Sequence, residues 1–223
     1  MDEPAVVVFD VNETLSDMVP LGRRFADVGA PELTAQVWFA SVLRDGFALA
    51  VAGDSATFAT LGSAALRTVF TGLPLTRDLD AAVEHVMAGF MELEVHPDVP
   101  DGVRALRAAG RRLVTLSNGS AGVAERLLTR AGLREEFEAL LSVEDAGVWK
   151  PAHGAYQHAA ATCDVDLSDM ILVAVHPWDI DGAARAGMQT AWIDRDGRPY
   201  PGHFATPTHT VSALPELAQR LRP

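Results

Sequence analysis

Short apolar runs that alternate with helix-like segments restrict the fold of this chain more than any other feature. The runs cover residues 5–9, 112–116, 137–143 (the weakest), 170–175 and 190–193. Each has the length of a buried strand and is too short for a core helix. Residues 101–109 place Val103 and Leu106 at helical spacing, and residues 120–131 start with Ser120 as an N-cap candidate and carry Val123, Leu127 and Leu128. Residues 151–162 begin with a proline suited to a first helical position, and residues 214–221 close the chain. Strands alternating with helices predict an α/β fold, a Rossmann-like parallel sheet flanked by helices.

Residues 16–95 follow another pattern. They contain no convincing strand, and residues 33–43, 56–70 and 79–93 are predicted to form amphipathic helices with breaks at 50–54 and 72–74. A segment of this length placed directly after the first strand is too long for a loop. The expected organisation is a core made of residues 1–15 and 96–223, with residues 16–95 inserted as a helical cap over the strand ends. A chain of 223 residues suits that plan.

Composition narrows the function classes. The net charge of -12, with no compensating basic run, argues against a nucleic-acid partner. The one cysteine, Cys163, has no internal disulfide partner, fits a reducing compartment and is expected to be an inert packed thiol. The first apolar run is far too short to cross a bilayer and no charged-then-apolar leader precedes it, so a soluble cytoplasmic protein without membrane contact is expected.

The chemistry concentrates at strand ends. The first run ends in Asp10 and is followed by Asn12, Glu13 and Thr14. A carboxylate delivered to the carboxyl end of a central strand stands where open sheets bind ligands, and it can serve as a nucleophile. Leu116-Ser117-Asn118-Gly119 ends the second run, Val148-Trp149-Lys150-Pro151 precedes Tyr156, and His176-Pro177-Trp178-Asp179 follows the fourth run ahead of Gly182 and Gly187-Met188. These four blocks, in this order and around an inserted helical segment, resemble the haloacid dehalogenase-like superfamily, and within it the type II 2-haloacid dehalogenase branch.

Asn12 and Val175 separate the branches. Superfamily phosphatases carry a second Asp two residues after the nucleophile as general acid and base, and an amide there cannot shuttle a proton. They also carry an additional acidic residue at the position of Val175, and a hard divalent cation needs several oxygen ligands. The resemblance therefore implies a hydrolase with no metal and no cofactor. In it, Asp10 attacks the α-carbon of a small 2-haloalkanoic acid, halide leaves with inversion, and water hydrolyses the aspartyl ester to a 2-hydroxy acid.

The same resemblance suggests individual roles. Ser117 and nearby backbone N–H groups hold the substrate carboxylate, with Asn118 on the halide or substrate side. Lys150 keeps Asp10 ionised. Thr14 bonds Asp10 or its loop, Tyr156 joins the network, and Asp179 positions or activates water. Asn12, Phe39, His176 and Trp178 shape the substrate pocket, Trp178 as an apolar wall. A homodimer is common in the branch.

There are departures from the pattern. Phe39 stands after Trp38 where the branch carries a halide-binding arginine. Arg44 is about 140° around a helix from Phe39 and is no simple substitute, which leaves Arg23 or Arg24 as candidates. Ala174 and His176 replace a serine and an asparagine that help place water. His176 can act as a base towards water or serve as a structural imidazole. The remaining histidines, including His85, His96, His153 and His158, lack metal-ligand spacing. Plainer readings stand beside the roles: Asp10 and Asp179 as caps, Ser117-Asn118-Gly119 as turn chemistry, Tyr156 as packing. Two rival functions share the scaffold, a phosphatase with a rewired site that recruits Glu13 and Asp181, and a non-catalytic binder of small carboxylates.

Overall fold

The computed structural model describes residues 4–221. Its strands are β1 (Val6–Phe9), β2 (Arg112–Ser117), β3 (Ala139–Ser142), β4 (Met170–Ala174), β5 (Gln189–Ile193) and β6 (His209–Val211). All pair in parallel in the order β3-β2-β1-β4-β5-β6. The helices are α1 (Leu21–Asp27), α2 (Thr34–Ala52), α3 (Phe58–Phe70), α4 (Leu79–Phe90), α5 (Val99–Ala108), α6 (Ala121–Arg130), α7 (Val143–Ala146), α8 (His153–Cys163), α9 (Pro177–Ala186) and α10 (Leu214–Arg220).

β1 is buried on both faces, as its unbroken Val-Val-Val-Phe run requires. The pleat sends Val7 and Phe9 into a core shared with α5, α6 and α10, and Val6 and Val8 into a core shared with α8 and α9. A third apolar cluster joins Leu21, Phe25, Trp38, Leu66, Phe70, Val86 and Phe90 of α1–α4 to Val143, Trp149 and Ala155. The four helices thus pack among themselves and onto the loop that carries Lys150. The chain passes between sheet and helices twice, side by side: Ser16 bridges Val95 antiparallel, the Asp17 N–H donates to the Glu94 carbonyl at 2.8 Å and the His96 N–H to Leu15 at 2.9 Å.

Several expected elements are corrected. β6 and α1 were not anticipated. β6 has only Val211 buried, and α1 is one short turn pair after Pro20 with arginines in its middle, so neither produces a strong periodic signal. α2 runs past residue 50 and stops where Gly53 takes a φ of 76°. The third strand ends at Ser142, and Val143 already belongs to α7. Pro151 does not start a helix; it follows a cis peptide bond in a turn, and α8 begins at His153 after Ala152. Ser120 precedes α6 without a capping side-chain bond. Cys163 is buried, and that burial pushes its thiol pKa up. No helix among the described residues is long and apolar enough to cross a membrane.

Candidate active site

The strand order places β1 between β2 and β4, so the chain's direction of travel along the sheet reverses at β1. A crevice at the carboxyl ends of strands is expected at such a switch point. Asp10 leaves the end of β1 there, flanked by Ser117 and Asn118 at the end of β2 and by His176 after β4.

The two oxygens of Asp10 have different neighbours. Oδ1 accepts from Lys150 Nζ at 2.9 Å. Oδ2 accepts from Thr14 Oγ1 at 2.6 Å and lies 3.0 Å from His176 Nδ1. Burial of the carboxyl, which is only 3% exposed, would raise its pKa. The Lys150 charge, then the His176 bond and charge and the Thr14 hydroxyl, outweigh burial and hold Asp10 below the usual carboxylate range. It is an ionised and largely desolvated carboxylate.

Lys150 is fully buried, and its ammonium also bonds Asp179 Oδ2 at 2.5 Å. Burial favours the neutral amine, but the charges of Asp10 and Asp179 raise its pKa above the ordinary lysine value. Asp179 is itself pushed up by burial and by the nearness of Asp10. The Tyr156 hydroxyl donates to Asp179 Oδ1 at 2.7 Å, and burial beside that carboxylate raises the phenol pKa. Asp179 lies in the first turn of α9, but its side chain serves this network rather than capping the helix. Asn118 turns its amide to the Lys150 backbone: Lys150 N–H donates to Oδ1 at 2.9 Å and Nδ2 donates to the Lys150 carbonyl at 3.2 Å. It therefore positions the lysine.

The opposite flank is built on His176. Burial would lower its pKa, yet bonds to Asp10 and Glu13 and their charges raise it to about 9. At neutral pH the ring is an imidazolium, donating from Nδ1 to Asp10 and from Nε2 to Glu13 Oε2 at 2.8 Å. Trp178 stacks on it with centroids 5.0 Å apart, and Phe39 of α2 lies 6.2 Å away. Phe47 meets Trp178 edge-on at 4.9 Å, tying α2 to this wall. Thr14 Oγ1 also accepts from the Val175 N–H at 3.1 Å, so one hydroxyl joins the ends of β1 and β4.

Ser117 Oγ accepts from the Gly119 N–H at 2.9 Å. A Cβ on Gly119 would lie 3.3 Å from that oxygen and 3.6 Å from Asn12 Nδ2, so Asn12, Ser117 and Gly119 converge beside Asp10's loop. None of the arginine candidates is bonded within the Asp10 network as described. Arg24 pairs with Glu92, Arg44 with Asp45, and Arg23 is exposed. His85 pairs with Asp27, His153 is exposed, and Asp181 pairs with Arg185. Among the described residues no group of three or more His, Cys, Asp or Glu side chains is arranged to hold a metal ion.

Two contributors were missed. Glu13, which the sequence offers only to the phosphatase rival, touches His176 and has a φ of 61°. A non-glycine residue in that region costs about 1–2 kcal/mol, and the Glu13 carbonyl is held by His96 Nε2 at 3.0 Å. Arg195 bonds Asp98 at 3.0 Å and the Thr14 carbonyl at 3.1 Å, bracing the loop from behind. A cleft of about 790 Å³ opens between α1–α2 and the loops after β4 and β5, and Glu13, Phe39 and His176 form part of its lining.

Comparison with known proteins gives consistent matches. The family model described as haloacid dehalogenase-like hydrolase matches residues 4–187. The (S)-2-haloacid dehalogenase 1 of Pseudomonas sp. (strain CBS-3) is 31% identical over 99% of this chain and 98% of its own length. The (S)-2-haloacid dehalogenase of Pseudomonas sp. (strain YL) is 30% identical over 96% and 93%. A crystal structure of a dehalogenase with an intermediate complex superposes with a TM-score of 0.92 at 28% identity, covering 100% of this chain and 99% of that one.

Proposed function

We propose that this chain, which belongs to the haloacid dehalogenase-like hydrolase family, hydrolyses the carbon–halide bond of a small 2-haloalkanoic acid through an ester on Asp10. Its matches to named (S)-2-haloacid dehalogenases over nearly the full length support a hydrolase acting on carbon–halide bonds. The observation that carries the finer reading is the state of Asp10: ionised, almost out of water, and fixed through both oxygens by Lys150, Thr14 and His176. A carboxylate is a weak nucleophile in water, and removing its hydration while preserving its charge makes it stronger.

In this reading Asp10 attacks the α-carbon, a carbon–oxygen bond forms and the carbon–halide bond breaks with inversion. Ser117 and the adjoining backbone N–H groups receive the substrate carboxylate. Phe39 and Trp178 give the apolar wall that keeps water from the reacting carbon. Lys150 preserves the charge of Asp10 before attack, and Tyr156, Asp179 and Asn118 hold Lys150. Asn12 and Val175 leave the loop without the acidic groups that phosphoryl transfer uses.

The test is halide release from chloroacetate and (S)-2-chloropropionate, with and without EDTA, for the native chain and for Asp10→Asn. Release that is insensitive to EDTA and falls by roughly 10⁴-fold or more in the variant is expected. Silence on a broad haloacid panel, magnesium-dependent phosphate release, or carboxylate binding without turnover would each replace the proposal with one of its rivals.

A further inference from the structure

The ester on Asp10 must be opened by water, and the flank of Asp10 that faces the cleft carries two groups suited to that step. His176 Nδ1 is 3.0 Å from Asp10 Oδ2, and its other nitrogen is 2.8 Å from Glu13 Oε2. The imidazole is nearly buried, with a side-chain exposure of 10%, whereas Glu13 is 42% exposed and lines the cleft. A buried base in contact with the reacting carboxyl is thus connected to solvent through one carboxylate. The opposite flank has no such outlet, because Lys150 and Asp179 are both fully buried.

Resting on the dehalogenase reading above, we propose that His176 is the base for ester hydrolysis and that Glu13 is its positioning partner and route to solvent. Alkylation consumes the negative charge of Asp10 and releases halide. The imidazolium, having lost that carboxylate, gives one proton to solvent by way of Glu13. Neutral His176 then takes a proton from a water whose oxygen bonds to Asp10 Cγ. The tetrahedral adduct breaks the bond between Cγ and the Asp10 oxygen that bridges to the substrate's α-carbon, and the departing alkoxide receives that proton from His176. The carboxylic acid left on Asp10 returns its proton to the ring. The sum is haloacid plus water giving hydroxy acid, halide and one proton.

The electrostatics supply the timing. Burial works against the charged ring, and the bonds and charges of Asp10 and Glu13 overcome it. Esterification removes one of the two carboxylates, so the ring becomes a neutral base once there is an ester to open. The other groups around the ring come from several elements. Lys150 lies beyond Asp10, α2 offers Phe39, α9 offers Trp178, and Asp17, Glu32, His96 and Arg195 stand around the cleft. Glu13 itself holds a φ of 61°, a conformation that glycine adopts freely.

The experiment compares the native chain with His176→Ala, Glu13→Gln and Glu13→Gly, using (S)-2-chloropropionate with rapid-quench halide assay, intact-mass spectrometry and thermal melts. In His176→Ala the first equivalent of halide is released, turnover falls by about 10²-fold or more, and the mass of the ester accumulates on the protein. Glu13→Gln shows the same pattern with a loss of about tenfold, set by weaker orientation of the ring. Glu13→Gly accumulates ester too, because the ring loses the same partner. The proposal is overturned if the His176 and Glu13 variants turn over at the native rate, or if halide release and turnover fall together with no ester. A native chain that releases no halide in the first turnover overturns the dehalogenase reading instead.

Discussion

The two flanks of Asp10 are built on opposite plans. On the Oδ1 side, Lys150 and Asp179 are fully buried and every strong contact is internal: Asp10, Tyr156 and the backbone clamp from Asn118. On the Oδ2 side, His176 hands its second nitrogen to a Glu13 that opens on the cleft. The sealed flank fixes charge, since its cation cannot exchange protons with solvent without breaking a buried cluster. The open flank can change its charge, because its cation titrates and has an exit. A nucleophile that must first keep a negative charge and then be released by water needs both behaviours, one on each oxygen.

The sharpest way to break this comparison is to remove the sealed cation. Lys150→Met leaves Asp10 and Asp179 buried side by side with no positive charge between them. Truncating one member of such a buried pair costs about 3–5 kcal/mol. Urea unfolding at neutral pH should show a loss of that size, and the double variant Lys150→Met with Asp179→Asn should recover part of it by removing one orphaned charge. A loss below about 1 kcal/mol would mean that water already reaches the cluster, and the contrast between the flanks would disappear.

The open flank is sharpened by pH. The folded-state pKa of His176 is raised from 6.5 to about 9, because the Asp10 and Glu13 bonds and charges exceed the opposing burial. A raised value means that the folded protein binds the proton more tightly than the unfolded chain. The resulting stabilisation is fully present below pH 6.5, fades between 6.5 and about 9, and is gone above that. It amounts to about 3 kcal/mol at most. The stability gap between the native chain and His176→Asn should therefore narrow as pH rises from about 6 to about 9.5. A gap that stays constant over that range would show that the ring does not gain its proton on folding.

The sealed flank was more legible in the sequence than the open one. Lys150 and Asp179 were identified because each lies in a block whose order around the inserted helices carries the family resemblance, and β1 was plain from a run apolar on both faces. Tyr156 had an equally good reading as packing until its hydroxyl was found on Asp179. The pairing of His176 with Glu13 spans 163 positions and departs from the branch pattern, so neither periodicity nor resemblance could supply it. The same holds for Arg195, which braces Thr14 from 181 positions away. β6 and α1 were invisible for a local reason: a three-residue edge strand and a seven-residue helix leave too few buried positions to form a pattern.

The smallest effect tests whether the sealed flank depends on the helices above it. Gly46 lies in α2, where glycine is about 1 kcal/mol worse than alanine in a helix interior. A Cβ at that position would stand 2.3 Å from Trp149 Cε3 and 2.6 Å from Cδ2. The indole has little freedom to retreat, because Phe58 stacks on it at 6.3 Å and its Nε1 donates to the Ala56 carbonyl at 2.9 Å. Overpacking of this kind costs about 1–3 kcal/mol, so it exceeds the gain in helix propensity. Gly46→Ala should lower the melting temperature by a few degrees, at about 2–4 °C per kcal/mol for a chain of this size. Trp149 precedes Lys150, so halide release should slow as well, while the pH-dependent gap set by His176 stays as it was. If the variant melts higher instead, helix propensity has won, α2 is free to lift away from Trp149, and the sealed flank holds its geometry without the helices.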